Sequence, residues 1–190
     1  MKTEDEDIKL ACETLRKGGV ILYPTDTVWG IGCDATQSNA VKRVFEIKHR
    51  ADNKALIVML DSESKLDRYV TEVPEIAYDL IEVAIKPLTI VYDCGCNLAP
   101  ELLGEDGSVG IRITRESFSN RLCRAYRNPI VSTSANISGE PTPAIFKEIS
   151  EDIKNTVDYI VETRRNDNNL NSPSSVIKLE AGGIVKIIRN

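Results

Sequence analysis

Leu56-Ile57-Val58-Met59-Leu60 decides the class of fold, because it follows a stretch from Ser38 in which Val41, Val44, Phe45 and Ile47 fall on one side of a helix. An unbroken apolar run is what a strand needs when both faces of its sheet are covered. An amphipathic helix leading into it supplies one cover, with Ser38 the expected cap. The same alternation extends outward. Upstream, Thr3 and Glu6 form a capping box, Ile8, Leu10, Ala11 and Leu15 recur at helical spacing, and Gly18-Gly19 stops the helix before the strand Val20-Ile21-Leu22-Tyr23. Downstream, Pro74 opens a helix through Ile76, Leu80, Ile81 and Ala84 that Pro87 ends, and the strand Leu88 to Tyr92 follows. Next come the strand Val109 to Ile113, a helix around Phe118 to Tyr126 and the strand Ile130-Val131-Ser132. The tail is expected to hold a short helix near Ala144 to Ile149 and strands at Tyr159 to Glu162, Ser175 to Leu179 and Ile184 to Ile188. Crossover helices early and closely spaced strands late predict an α/β fold on a twisted, mixed parallel and antiparallel sheet with flanking helices, residues 1–190 forming one domain.

Composition narrows the function. With 190 residues, 42% hydrophobic, the chain can bury one sizeable core and is not a disordered regulator. Its longest apolar run is Ala55 to Leu60, whereas a membrane span needs roughly 20 residues. The acidic start, Met1-Lys2-Thr3-Glu4-Asp5-Glu6-Asp7, is the reverse of a signal peptide, so a cytoplasmic protein with no membrane partner is expected. The 5 cysteines are scattered and read as free thiols. Cys94-Gly95-Cys96 is too tight for a paired zinc motif, and no metal site is expected. The lone histidine, His49, sits between Lys48 and Arg50, which oppose the imidazolium that an acyl-enzyme base must carry. A net charge of −5 argues against a binder driven by the nucleic-acid backbone, and aromatics at 5% offer little base stacking.

Phosphate fingerprints are absent or misplaced. No P-loop occurs, and Gly30-Ile31-Gly32-Cys33-Asp34-Ala35 spells G-x-G-x-x-A away from any strand-to-helix turn. Four polar segments remain. Tyr23-Pro24-Thr25-Asp26-Thr27 is a Pro turn at a strand end, which by itself reads as an Asx or ST turn before it reads as a site. Lys48, Arg50 and Lys54 run from a helix end into a central strand; cations there complement a helix dipole, and they also suit a polyphosphate. Ser132-Thr133-Ser134-Ala135-Asn136-Ile137-Ser138-Gly139 is either a capped turn or a set of small neutral groups for phosphate or carboxylate oxygens. Arg112 lies inside an apolar strand and needs a partner if it points inward.

Taken together, Lys48-x-Arg50, Ser134-Ala135-Asn136, Tyr23-Pro24-Thr25-Asp26-Thr27 and Ser138-Gly139-Glu140-Pro141 resemble the YrdC-type family of threonylcarbamoyl-adenylate synthases, from about Gly18 to Arg189. The resemblance implies a mixed sheet around a basic cavity and an enzyme, a nucleotidyltransferase, that joins L-threonine, bicarbonate or CO2, and ATP into L-threonylcarbamoyl-adenylate with release of pyrophosphate. That product serves the threonylcarbamoyl modification of tRNA. Position by position, the implied threonine pocket is Thr27, Arg112, Ser132 and Ser175, and the implied ATP site is Arg50, Lys54, Ser108, Ser134, Thr142 and Arg189. Lys48, Arg50, Ser134 and Asn136 form the implied catalytic signature. ATP enters as a substrate with Mg2+ on its phosphates. The implied partners are the downstream tRNA-modifying machinery and a weak contact with tRNA. The chain departs from the family pattern at Ala51, Lys54 and Ala55, and Met59 stands where a histidine is frequent. A diverged, non-catalytic RNA- or nucleotide-binding paralogue of the same fold is the alternative.

Overall fold

The computed structural model describes residues 2–49, 56–168, 173–180 and 183–189. Helix α1 (Glu4–Arg16) starts as its sequence demands: the Glu6 amide donates to Thr3 Oγ1 at 3.3 Å, and the Thr3 amide donates to Glu6 Oε2 at 2.7 Å. Four acidic residues in its first turn complement the helix dipole. It ends where Gly18 takes a φ of +76°, a left-handed conformation that costs glycine little. The chain continues through β1 (Ile21–Tyr23), β2 (Gly30–Gly32), α2 (Ser38–Ile47), β3 (Ile57–Leu60), α3 (Ile76–Val83), β4 (Leu88–Tyr92), β5 (Val109–Ile113), α4 (Ser117–Tyr126), β6 (Ile130–Ser134), α5 (Glu151–Thr156), β7 (Tyr159–Ile160), β8 (Ser175–Glu180) and β9 (Ile184–Arg189).

The strands form one mixed sheet in the order β7-β1-β2-β6-β3-β5-β4-β8-β9. β1 with β7, β3 with β5 and β4 with β8 run parallel; the other neighbours run antiparallel. The central strands carry the core: Val58, Met59, Ile90, Ile111, Ile130 and Val131 are at most 2% exposed. α1 and α4 cover it, with Ala11, Leu15 and Leu122 fully buried. β9 is the exception, exposed along its whole length.

Several expectations shift. β2 was not visible as a strand, because two of its residues are glycines. Gly32 is required by packing: a Cβ there would stand 2.6 Å from Tyr23 Cε1 and 2.7 Å from the Val131 carbonyl oxygen. Gln37, not Ser38, occupies the cap of α2, and the Ser38 hydroxyl instead donates to Glu101 Oε1. The predicted helix near Ala144 to Ile149 is only a single tight turn, Phe146–Glu148; the helix proper is α5, whose first turn Ser150 caps. The expected strand at Tyr159 to Glu162 pairs only over Tyr159–Ile160, since the amides of Glu162 and Thr163 turn to the Asp7 carboxylate.

Candidate functional site

A cavity of about 230 Å³ opens where the β1–β2 loop, the start of β3, the end of β6 and the start of β8 converge. The register explains the convergence: β6 runs antiparallel to both neighbours, placing Ser134 opposite Gly30 and Ser132 opposite Ile57. The parallel pair β3 and β5 sets Met59 opposite Arg112, and Arg112 in turn lies opposite Thr89 of β4. Of the sequence-predicted residues, Thr27, Arg112, Ser132, Ser134, Thr142 and Arg189 line this cavity. Its described lining contains two guanidinium groups and no carboxylate.

Arg112 finds the partner that its buried position requires. Its side chain is 4% exposed, and Nη2 lies 3.1 Å from Asp26 Oδ1. The same nitrogen reaches Thr27 Oγ1 at 3.5 Å, while Nε is buried with no hydrogen-bond partner. Burial raises the Asp26 carboxyl above the ordinary aspartate value, and the Arg112 charge pulls it partly back. Asp26 is absent from the cavity wall and lines a separate hollow with Ile81, Leu88, Ile113, Arg115 and Glu116. Arg164 secures the loop from outside, with Nη1 3.1 Å from Glu116 Oε1 and 3.3 Å from the Thr25 carbonyl oxygen.

Arg189, from the last strand, grips the segment ahead of β8: Nε and Nη2 donate to the Ser174 carbonyl at 3.0 and 2.9 Å. Ser174 itself is 1% exposed, with its hydroxyl 3.0 Å from that of Thr89. The cavity wall therefore takes Ser174 where the sequence pointed to its neighbour Ser175, whose amide is spent on the Pro87 carbonyl at 3.0 Å. A strand alternates faces, so a shift of one residue turns a side chain away.

Lys48 and Asn136 stand beneath the wall, outside the cavity lining. Lys48 is 2% exposed; its ammonium donates to the Ser134 carbonyl and, at 2.7 Å, to the Asn136 carbonyl, while its own carbonyl accepts from the Ser138 amide at 2.9 Å. The Asn136 amide group donates to the Ile137 and Glu140 carbonyls at 3.0 and 2.9 Å. Together they shape the loop that carries Ser134 and leads to Thr142. Ser108 is also outside the lining, in a turn where its amide donates to Asp106 Oδ1 at 3.0 Å. Arg50 and Lys54 lie outside the described residues. Met59 is fully buried, with Sδ 3.9 Å from the Tyr23 hydroxyl, so it forms floor beneath the site. Sequence reasoning passed over Thr25, Thr133 and Ser174 as lining residues, although each sits inside or beside a segment it had marked. Among the described residues no group of three His, Cys, Asp or Glu side chains could hold a metal ion.

The fold and the cavity define an α/β protein with a polar pocket, basic in its described lining, set on a mixed sheet. A family model named for Sua5, YciO and YrdC, and described as telomere recombination, matches residues 13–190. The chain belongs to the Sua5/YciO/YrdC family. It is 34% identical over 160 residues to a threonylcarbamoyl-AMP synthase of Vibrio cholerae, covering 83% of this chain and 85% of that one. It is 32% identical over 163 residues to the protein of that name from Pseudoalteromonas translucida, covering 84% and 87%. Among solved structures, P. abyssi Sua5 complexed with L-threonine superposes with a TM-score of 0.86 at 30% identity; all of this chain is covered, and it spans 55% of that one. E. coli YciO gives 0.84 at 26% identity, covering 100% and 91%.

Proposed function

We propose that this chain is a threonylcarbamoyl-AMP synthase acting as one domain in the cytoplasm. L-Threonine's amine adds to CO2 with loss of a proton, or condenses with bicarbonate with loss of water; the carbamate oxygen then attacks the α-phosphorus of ATP, and the bond from that phosphorus to the pyrophosphate oxygen breaks. No protein nucleophile takes part. The protein's task is to align two anions and to neutralise charge on the leaving pyrophosphate. The observation that carries the reading is the buried, unpartnered Nε of Arg112 beside the Thr27 hydroxyl, in a wall without carboxylates among the described residues, since that pairing suits an amino-acid carboxylate next to a polar group. Ser134, Thr142 and Arg189 then serve the nucleotide, a role assigned by the same reading to Arg50, Lys54 and Ser108; Ser132 stands on the threonine side, which Ser175 completes through its neighbour Ser174. Mg2+ arrives on the phosphates of ATP and asks for no cage of protein ligands. The product passes to the enzymes that modify tRNA, and a weak tRNA contact would serve that transfer.

The test is pyrophosphate release from purified protein with Mg2+ and ATP. Release is expected only when L-threonine and bicarbonate are both present, with no tRNA added. Equal release in CO2-depleted buffer would point to direct activation of the carboxylate. No release under any combination, together with a salt-sensitive shift of RNA, would refute the reading in favour of a binding paralogue.

A further inference from the structure

The β1–β2 loop contains a chain of hydroxyl groups whose protons can be assigned one by one. The Thr25 hydroxyl donates to the Val28 carbonyl at 2.7 Å. A hydroxyl has a single proton and two lone pairs, so this commits Thr25 as a donor. Its lone pairs then accept from the Thr27 amide at 3.1 Å and from the Thr27 hydroxyl, whose oxygen is also 3.1 Å away. Distance alone leaves the direction of that last contact open, and the Val28 bond settles it: Thr27 must donate. The Thr27 oxygen therefore turns lone pairs, and no proton, toward Arg112 and the cavity. Thr25 is 2% exposed and Thr27 6%, so water does not readily replace these bonds.

We infer that Thr25 is a positioning residue that fixes Thr27 as a hydrogen-bond acceptor, so that the cavity selects an amino acid whose side chain presents an O–H donor beside its carboxylate. This rests on the proposed function and deepens it: Arg112 meets the anion with N–H groups, Thr27 meets the donor with lone pairs, and the two stand 3.5 Å apart. An amino acid with a side-chain hydroxyl fits both, whereas in its isostere L-valine a methyl takes the hydroxyl's place and offers the cavity-facing lone pair of Thr27 no side-chain donor. Without the Thr25 hydroxyl, the Thr27 proton loses its partner and can swing into the cavity, which abolishes the fixed polarity.

The test is calorimetric titration of L-threonine and of L-valine into the wild type, Thr25→Val, Thr25→Ser and Thr27→Val. The wild type is expected to prefer L-threonine and Thr27→Val to lose that preference. Thr25→Val should reduce it about tenfold, the scale of one hydrogen bond, with valine affinity little changed. Thr25→Ser, which keeps the hydroxyl, should restore it. Thermal melts check folding, and Thr25→Cys, with its weaker hydrogen bonding, gives an intermediate preference if the valine variant does not fold. A folded Thr25→Val or Thr25→Cys protein with wild-type preference overturns the role of Thr25 while leaving the threonine pocket standing. A wild type with no preference for threonine over valine overturns both.

Discussion

Replacing Lys48 by methionine separates two roles that the family signature leaves merged. The methionine keeps the apolar stem in its buried slot and removes the ammonium that donates to the Ser134 and Asn136 carbonyls. Hydrogen bonds from a charged donor contribute about 1.5–3 kcal/mol each, so two give roughly 3–6 kcal/mol before any offset. Losing the desolvation cost of a buried ammonium returns part of that, leaving a net destabilisation of about 2–4 kcal/mol. For a domain of this size each kcal/mol moves the midpoint by about 2–4 °C, so Lys48→Met should melt roughly 4–16 °C below the wild type. Turnover should fall as well, because the freed loop carries Ser134 and Thr142, and the loss should appear mainly as a raised KM for ATP. The assays are differential scanning fluorimetry and threonine-dependent pyrophosphate release. A variant that melts within about 2 °C of the wild type while losing nearly all turnover at saturating ATP would refute the loop-anchoring role and put the Lys48 charge on the ligand instead.

Acid should act early through Asp7. Burial alone would raise its carboxyl, but hydrogen bonds from the Thr163 and Tyr159 hydroxyls and from the amides of Glu162 and Thr163 outweigh burial and hold it below the ordinary value. Such a group stabilises the fold above its unfolded pKa near 3.9, and that contribution disappears as pH falls through the lower folded value. Urea unfolding at pH 7 and at successively lower pH should show stability falling through the acid range, more steeply for the wild type than for Asp7→Asn, which starts about 2–3 kcal/mol lower; parallel curves would contradict the assignment. Gly32→Ala should destabilise severely, with poor soluble yield, because its methyl would meet both the Tyr23 ring and the Val131 backbone. A melting point within about 2 °C of the wild type would show that β1 and β6 move apart at small cost.

The central strands were legible because burial on both faces leaves an unmistakable mark: β3 and β4 each read as nearly continuous apolar runs. β2 left none, since the tight approach of Tyr23 and Val131 demands glycine, and glycine carries no strand signal. α5 was displaced because the apolar spacing from Ala144 to Ile149 outweighed a sharper cue, Ser150 followed by Glu151 and Asp152. At the site, the sequence marked segments that converge on one cavity and left side-chain direction open. Nothing in Lys48 or Asn136 tells whether a polar group turns to a ligand or to backbone carbonyls, since both satisfy the same donors. Ser174 and Ser175 are chemically identical, and only the pleat of β8 distinguishes them. Thr25 sat in a marked motif, yet its importance lies in the direction of one proton, which depends on where the Val28 carbonyl falls.

In time, the strand order makes the cavity a late arrival. Only β1 with β2, β4 with β5 and β8 with β9 pair strands that follow one another along the chain. The walls of the cavity depend on other pairings: Gly30 with Ser134, Ile57 with Ser132 and Leu88 with Ser175. Each must close a long loop before its contacts repay the lost entropy, so these pairings form slowly. During refolding, the hairpins and their apolar strands exist first, and a binding signal for threonine reports the last closures, well after the bulk of the helix signal has returned.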